Sequence, residues 1–143
     1  MKRLIAGLLA MTLMSAPALA KDHLVKLTMD GRPVDRAGGI AILHDGVVYA
    51  DVVDLVKTFD GLVTFAGAAA RIEISGHVGT FTTGMRGASV DGAQVMLPGA
   101  PFMRNGDLYV PLQFFITRIA SARVQFNGDR TRADIRVNSN PLS

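Results

Sequence analysis

The chain has 143 residues, with 15 Lys or Arg and 12 Asp or Glu, a net charge of +3 and no Cys. The lack of Cys excludes a disulfide-stabilised scaffold, so stability must come from a hydrophobic core, and a chain of this length supports one core rather than two. Its Lys and Arg residues are scattered, which argues against a nucleic-acid-binding surface.

Residues 1–20 have the three zones of a cleavable secretory signal peptide. Lys2 and Arg3 precede an apolar run from Leu4 to Met14, and Ala18-Leu19-Ala20 is a small-residue cleavage pattern. The run is about half as long as the roughly 20 residues that a membrane-spanning helix needs. We therefore expect a secreted or periplasmic protein with no membrane span after cleavage. The mature chain would keep thirteen basic and twelve acidic residues, a net charge of +1, so we expect no nucleic-acid partner.

Cleavage after Ala20 would create a metal-binding terminus. The mature chain would begin with Lys21, Asp22 and His23, which offer a free amine, two amide nitrogens and an imidazole. Four such nitrogens suit square-planar Cu(II) or Ni(II). The alternative is that a His is the third residue of the mature chain by chance, in a disordered tail. In that case the protein has no cofactor, and any Cu(II) or Ni(II) bound at this terminus is adventitious.

The rest of the chain contains an internal repeat with a spacing of about 60 residues. The copies cover about residues 25–75 and 88–137, and each has two Gly-containing turns followed by a helical pattern. The matching turns are Asp30-Gly31 with Asp91-Gly92, and Asp45-Gly46 with Asn105-Gly106. Asp or Asn before Gly predicts a two-residue hairpin, because Gly tolerates positive φ. The strands after the second turns are expected to end at Tyr49 and Val110.

After the second turn, the apolar period in each copy changes from two to 3.6, which predicts a short amphipathic helix. Asp51 is placed to cap the first helix, and Pro111 precedes the second. The aromatic residues lie on the apolar stripes, which favours core packing over a ligand cage. The stripes comprise Val52, Leu55, Val56 and Phe59 in the first copy, and Leu112, Phe115, Ile116 and Ile119 in the second.

Two alternating segments follow each helix, at 62–65 and 71–74, then at 123–126 and 132–137. Between the copies, the Gly-rich stretch 76–89 predicts a strand with a bulge and then a flexible loop. Residues 139–143 are expected to form a flexible tail. We expect one α+β domain over residues 21–138, in which duplicated β-β-α-β-β units form an antiparallel sheet packed around the short amphipathic helices.

The second copy resembles the copper amine oxidase N-terminal domain, also called the stalk domain. That family has a turn "nGr", then "yVPLr", a helix, a pair of small residues, "v.Wd" and a final strand. The matching segments are Asn105-Gly106-Asp107, Tyr109-Val110-Pro111-Leu112, Ser121-Ala122 and Val124-Gln125-Phe126. The resemblance extends from Val25 to Val137.

The chain departs from the family pattern at several positions. Gln113 stands where the family usually has Arg, and Ser121 replaces a typical Gly. Phe65 and Phe126 stand where Trp is common, and the first copy has Ala50-Asp51 instead of Val-Pro. These changes preserve the shape of the core but put any contact that depends on the Arg in doubt.

The resemblance implies an antiparallel sheet twisted around a helix, in a secreted module that is appended to cell-wall hydrolases as well as to the oxidases. It does not imply amine oxidation, because the copper ligands and the quinone-forming tyrosine of the oxidases belong to a different domain.

Catalytic motifs have little support in the sequence. Nucleophilic catalysis needs a Ser, Thr or Cys beside an oriented base, but Ser75 and Ser89 flank the Gly-rich stretch without a recognisable base. Asp51 and Asp54 are explained by helix capping and the helix dipole.

The remaining candidates are His23 near the mature terminus, His44 in a turn, His77 in the Gly-rich stretch, and Glu73 and Asp134, which are expected on the exposed side of strands. No His, Cys or Asp-rich metal motif stands inside the domain.

We therefore expect a non-catalytic module that binds a cell-wall polymer or an envelope protein, with exposed β-edges as one physical route to a partner. Two alternatives stay open. A small secreted hydrolase would gather Ser, His and Asp in a deep polar pocket. Chelation of Cu(II) or Ni(II) would use Lys21, Asp22 and His23.

N-terminal sequencing of the secreted protein is expected to begin at Lys21, and any other first residue removes the four-nitrogen site. With Lys21 first, the chelation hypothesis predicts that Cu(II) titration of the wild type detects a site that the His23→Ala variant lacks. Equal copper binding by the two proteins would rule out chelation.

Overall fold

The computed structural model of the protein describes residues 22–34 and 40–137. The predicted signal peptide, Lys21 and the predicted C-terminal tail lie outside these residues, so what the sequence indicates about them stays a prediction. Within the described ranges, none of the helices has the length and apolar character needed to cross a bilayer.

The described chain is mostly β-structure with two short helices. Its elements are β1 (His23–Met29), β2 (Arg32–Pro33), β3 (Ile40–His44), β4 (Val47–Asp51), α1 (Val52–Thr58), β5 (Leu62–Ala66), β6 (Ala69–Ile74), β7 (His77–Thr82), β8 (Gly87–Val90), β9 (Ala93–Met96), β10 (Phe102–Arg104), β11 (Asp107–Pro111), α2 (Leu112–Phe114) with a π-helical continuation (Phe115–Ile119), β12 (Arg123–Phe126) and β13 (Arg132–Arg136).

The strands form two sheets rather than the single sheet expected from the sequence. The larger has the order β10-β11-β4-β3-β1-β13-β12, with β2 paired to β1, and the smaller has the order β5-β6-β7-β8-β9. Strand pairing is antiparallel, as expected, except between β1 and β13, where Leu27 lies opposite Ala133 in a parallel pair. The strand pattern could not reveal this pair, because it joins residues at opposite ends of the domain.

Two-residue turns set the register of five hairpins. The four that the sequence predicts, at Asp30-Gly31, Asp45-Gly46, Asp91-Gly92 and Asn105-Gly106, have positive φ at both residues, as type I′ turns require. Ser75-Gly76 makes a fifth, with φ of 49° and 87°. This turn starts the strand β7, and residues 83–86 follow it without regular structure, so the predicted strand and loop are confirmed within the stretch 76–89. The loop is shorter than expected, because β8 begins at Gly87.

Both helices begin directly after a strand of the larger sheet. The Val53 N–H donates to Asp51 Oδ1 at 2.8 Å, which confirms Asp51 as the cap of α1. The predicted stripe of α2 and its continuation is also confirmed, since its four residues are fully buried. β4 and β11 run slightly farther than expected, to Asp51 and Pro111.

One hydrophobic core lies between the sheets and includes both helices. Phe115 stacks on Phe81 of β7, with ring centroids 6.4 Å apart and planes at 27°. Gly79 leaves room beside this pair, because a Cβ there would lie 2.5 Å from Ile119 Cδ1. The largest fully buried side chains of the core are Phe81, Phe115, Leu55, Ile72, Leu97, Leu108, Leu112, Ile116, Ile119, Ile135, Val25 and Val52.

Replacing Gly61 with Ala is expected to lower the free energy of unfolding by about 2 kcal/mol, because overpacking a tight site costs roughly 1–3 kcal/mol. The new Cβ would lie 2.5 Å from the backbone oxygen of Glu73 and 2.6 Å from Ile74 Cγ1. Gly87→Ala is the matched control, since nothing lies within 4 Å of a Cβ at that position. Urea unfolding measures both variants, and equal losses of stability would contradict the expected difference.

Candidate functional site

The first polar cluster joins the start of the described chain to the larger sheet. Asp22 Oδ2 accepts a hydrogen bond from Arg104 Nη2 at 2.6 Å, and His44 Nδ1 lies 2.8 Å from Asp22 Oδ1. The hydrogen bond from Arg104 lowers the pKa of the Asp22 carboxyl; burial opposes this shift, and His44 adds to it. Asp22 is therefore held as a carboxylate between two basic side chains.

An aromatic cluster adjoins this ion pair. The Phe102 ring stacks on Tyr109 with centroids 5.5 Å apart and planes at 9°, and its centroid lies 4.7 Å from the rings of both His44 and Tyr49. The Arg104 guanidinium carbon lies 5.3 Å from the Phe102 centroid, within the range of a cation–π contact. Strands β3, β4, β10 and β11 thus present an aromatic surface beside a charged one.

Two grooves open at this side of the domain and share Val47 and Pro98. One has a volume of about 330 Å³ and is lined by His44, Tyr49, Phe102 and the loop from Pro98 to Pro101. The other has a volume of about 280 Å³, and the residues that line it include Gln113, Phe114, Phe126 and Arg130. We call them together the paired grooves.

A second polar cluster lies where the π-helical segment meets the smaller sheet. Ser121 Oγ lies 3.2 Å from His77 Nε2, and His77 Nδ1 lies 2.8 Å from Asp91 Oδ2. The Val78 N–H donates to Asp91 Oδ1 at 2.8 Å. The hydrogen bond with His77 lowers the pKa of the Asp91 carboxyl, and the weaker effect of the bond from the Val78 N–H lowers this pKa further.

This Ser, His and Asp group differs from what the sequence suggested for a hydrolase. Ser75 lies in the β6–β7 turn and Ser89 in β8, while the serine that contacts a histidine is Ser121. Sequence reasoning missed the group because 44 residues separate Ser121 from His77; the signal available was a serine at a position where the family usually has glycine. The cluster lies at the surface rather than in a deep pocket, since the side chains of His77 and Asp91 are 40% and 45% exposed.

The residues of the predicted metal terminus are only partly described. Asp22 belongs to the ion-pair cluster, and His23 is the exposed first residue of β1, with Nε2 3.4 Å from the Arg130 carbonyl oxygen. Lys21 is outside the described residues, so chelation stays a prediction. In residues 22–34 and 40–137, no three His, Cys, Asp or Glu side chains form a group that could hold a metal ion.

The acidic residues considered in the sequence have structural contacts. Asp54 lies in the first turn of α1 behind the cap, and Glu73 pairs with Arg71 at 2.7 Å. Asp134 lies on the face of β13 opposite the buried Ala133 and Ile135, as expected, although hydrogen bonding leaves its side chain only 18% exposed. It accepts hydrogen bonds from Thr28 Oγ1 at 2.5 Å and from the Gly31 N–H at 3.1 Å, so it holds β13 against the β1–β2 hairpin.

Comparison with protein families places most of this chain in one family. The family model described as "Copper amine oxidase N-terminal domain" matches residues 28–135. Searches of curated proteins and of solved structures gave no match.

Asp22→Asn is expected to lower the free energy of unfolding by about 1 kcal/mol at pH 7, a small loss because Arg104 is 39% exposed and solvent screens the pair. The folded state lowers the pKa of Asp22, so its contribution is present at neutral pH and is lost as the pH falls below about 4.

Urea unfolding at pH 7 and pH 3 measures this effect, and Arg104→Gln is the matched variant from the other side of the pair. Both variants should lose stability at pH 7 and approach the wild type at pH 3. A difference for Asp22→Asn that is as large at pH 3 as at pH 7 would contradict the assignment.

Proposed function

The chain belongs to the copper amine oxidase N-terminal domain family, and from this membership we propose that it is a binding module of the cell envelope, whose paired grooves hold a cell-wall polymer without catalysing a reaction on it. The N-terminal domain of the copper amine oxidases is itself non-catalytic. In this proposal the protein acts in the periplasm or outside the cell, which the predicted signal peptide at residues 1–20 supports.

The adjoining position of the two grooves is the observation that carries this proposal. Pockets that enclose a small ligand usually have volumes of roughly 300–1,000 Å³, and each groove lies near the lower end of that range, with about 280 and 330 Å³. Each groove is therefore about large enough for one small unit. Because they share Val47 and Pro98, consecutive units of one polymer could occupy both.

The groove walls offer both kinds of contact that a glycan polymer needs. Phe114 and Phe126 in the second groove are partly exposed, and aromatic rings present flat apolar surface on which the C–H faces of sugar rings can pack. Gln113 is exposed on α2 and carries an amide with donors and an acceptor for sugar hydroxyls. The second groove thus combines an apolar wall with hydrogen-bonding groups.

Arg130 adds a positive charge to the same groove. Its Nη1 donates to the Gly46 carbonyl at 2.8 Å, which fixes the side chain against the β3–β4 turn. A guanidinium has five N–H donors, so this bond leaves donors that can face a carboxylate. This chemistry suits a wall polymer that carries carboxylates, such as peptidoglycan with its peptide stems.

We also infer that the domain consists of two copies of one unit. The order of hairpin, hairpin, helix and hairpin occurs from β1 to β6 and again from β8 to β13. Matching strands of the two halves pair with each other, with Ala50 of β4 opposite Val110 of β11. This pairing supports a local twofold relation between the copies.

Cosedimentation with purified insoluble peptidoglycan tests the binding proposal. The wild type should be retained, and the Gln113→Ala, Arg130→Ala double variant should bind about tenfold more weakly. A tenfold change in affinity corresponds to about 1.4 kcal/mol, which is within the range expected for the loss of two hydrogen bonds of roughly 0.5–1.5 kcal/mol each.

Arg71→Ala is the control, because Arg71 is an exposed residue of β6 that lines neither groove. Thermal unfolding verifies that each variant is folded. No retention of the wild type, or equal retention of the double variant and the control, would refute the proposal.

A further inference from the structure

The Ser121, His77 and Asp91 cluster has the connectivity of an activated nucleophile. Asp91 Oδ2 contacts His77 Nδ1 at 2.8 Å, and the opposite ring nitrogen, Nε2, lies 3.2 Å from Ser121 Oγ. When the Asp91 carboxylate accepts the proton on Nδ1, Nε2 is an acceptor that faces the serine hydroxyl. A nucleophile, a base and a group that orients the base are thus in contact in the required order.

Ser121 closes the π-helical segment in the left-handed backbone conformation that commonly follows the end of a helix. Its φ is +56°, in the left-handed region that glycine adopts readily and other residues adopt at a cost in conformational energy. The residues on both sides are anchored, because the Ala120 N–H donates to the Phe115 carbonyl at 3.0 Å and the Ala122 N–H donates to the Ile116 carbonyl at 2.9 Å. The backbone that carries the hydroxyl is therefore anchored on both sides, at a position where glycine would be less strained, and the hydroxyl itself contacts His77.

A backbone hydrogen bond orients the Asp91 carboxylate. Asp91 is the first residue of the β8–β9 turn, with φ of 50°, and the Val78 N–H donates to its Oδ1 at 2.8 Å. Because Oδ1 is occupied in this way, Oδ2 is directed at the imidazole. The His77 ring is held from one side by Asp91 and contacts Ser121 on the other.

We propose that Ser121 is a nucleophile for acyl transfer from esters, with His77 as the general base and Asp91 as the positioning residue. Ser121 Oγ attacks the ester carbonyl carbon while its proton passes to His77 Nε2. The bond to the alcohol oxygen breaks, and the alcohol leaves with the proton from His77. Water attacks the acyl-serine by the same route and releases the carboxylic acid, so one ester and one water give one alcohol and one acid.

The open surroundings of the cluster indicate the class of ester. The side chains of His77 and Asp91 are 40% and 45% exposed, so the site does not enclose a small molecule. It is accessible to a short acyl group that a larger molecule carries on its surface, such as an O-acyl group of a polymer. None of the three residues lines the paired grooves, so this inference does not depend on the binding proposal.

Two probes test the nucleophile directly in the purified chain. A fluorophosphonate should label the wild type, and peptide mapping by mass spectrometry should place the label on Ser121. Hydrolysis of p-nitrophenyl acetate should show a burst followed by steady turnover, as expected when an acyl-enzyme accumulates.

The variants are chosen so that the fold is retained. Ser121→Gly removes the hydroxyl and suits the positive φ, and it should abolish labelling and the burst. His77→Gln should slow labelling about 100-fold, at the lower end of what a positioned base contributes. Asp91→Asn keeps a residue that the turn accepts, and it should lower kcat for p-nitrophenyl acetate while leaving KM unchanged.

Two variants outside the cluster are the controls. His23→Gln tests the slow ester hydrolysis that an exposed imidazole causes without a serine, and Ser89→Ala removes a serine that does not contact His77. Both variants should match the wild type in labelling and in the burst. The proposal is overturned if the wild type shows no burst, if the label lies elsewhere than on Ser121, or if Ser121→Gly reacts as fast as Ser89→Ala.

Discussion

The antiparallel pairing of β4 with β11 is the interaction on which the rest of the structure depends. It places Ala50 opposite Val110 in the larger sheet, one strand in from the β10 edge, and joins the two halves of the domain. Each of these strands leads into a helix at the next residue, Val52 after β4 and Leu112 after β11. Two helices that start from paired neighbouring strands must enter one shared space, so a single core between the sheets follows from this pairing.

The same arrangement determines where polar side chains can gather. Buried stripes on both helices occupy the core side of the larger sheet, and no polar or charged residue of the described chain is buried. Polar groups therefore collect where elements end: Asp22 and Arg104 at the sheet margin, and Ser121 just beyond the π-helical segment. Both polar clusters thus lie at the ends of strands or helices, where functional residues carried by a rigid scaffold are typically found.

Local features of the sequence were predictable because their cause is local. An Asp-Gly or Asn-Gly pair determines a hairpin by the φ values that it tolerates, and a 3.6-residue apolar period determines the buried face of a helix. The parallel pair of β1 with β13, the division into two sheets and the contact of Ser121 with His77 all join distant parts of the chain. No periodicity encodes such contacts. The π-helical continuation of α2 was not predicted either, although its stripe was, because a short wider turn leaves the apolar residues on the core side.

The positions where this chain departs from the family pattern explain its individual surface. Asp51 replaces proline in the first copy and supplies the side-chain cap of α1, a bond that Pro111 does not make for α2. Gln113 and Phe126 line one of the paired grooves, and Ser121 brings a hydroxyl to His77. The core needs only apolar side chains of suitable shape, and these substitutions leave it intact. A shared scaffold can therefore keep its packing while a few residues at the ends of its elements change what its surface binds or reacts with, since fold and function are specified by different residues.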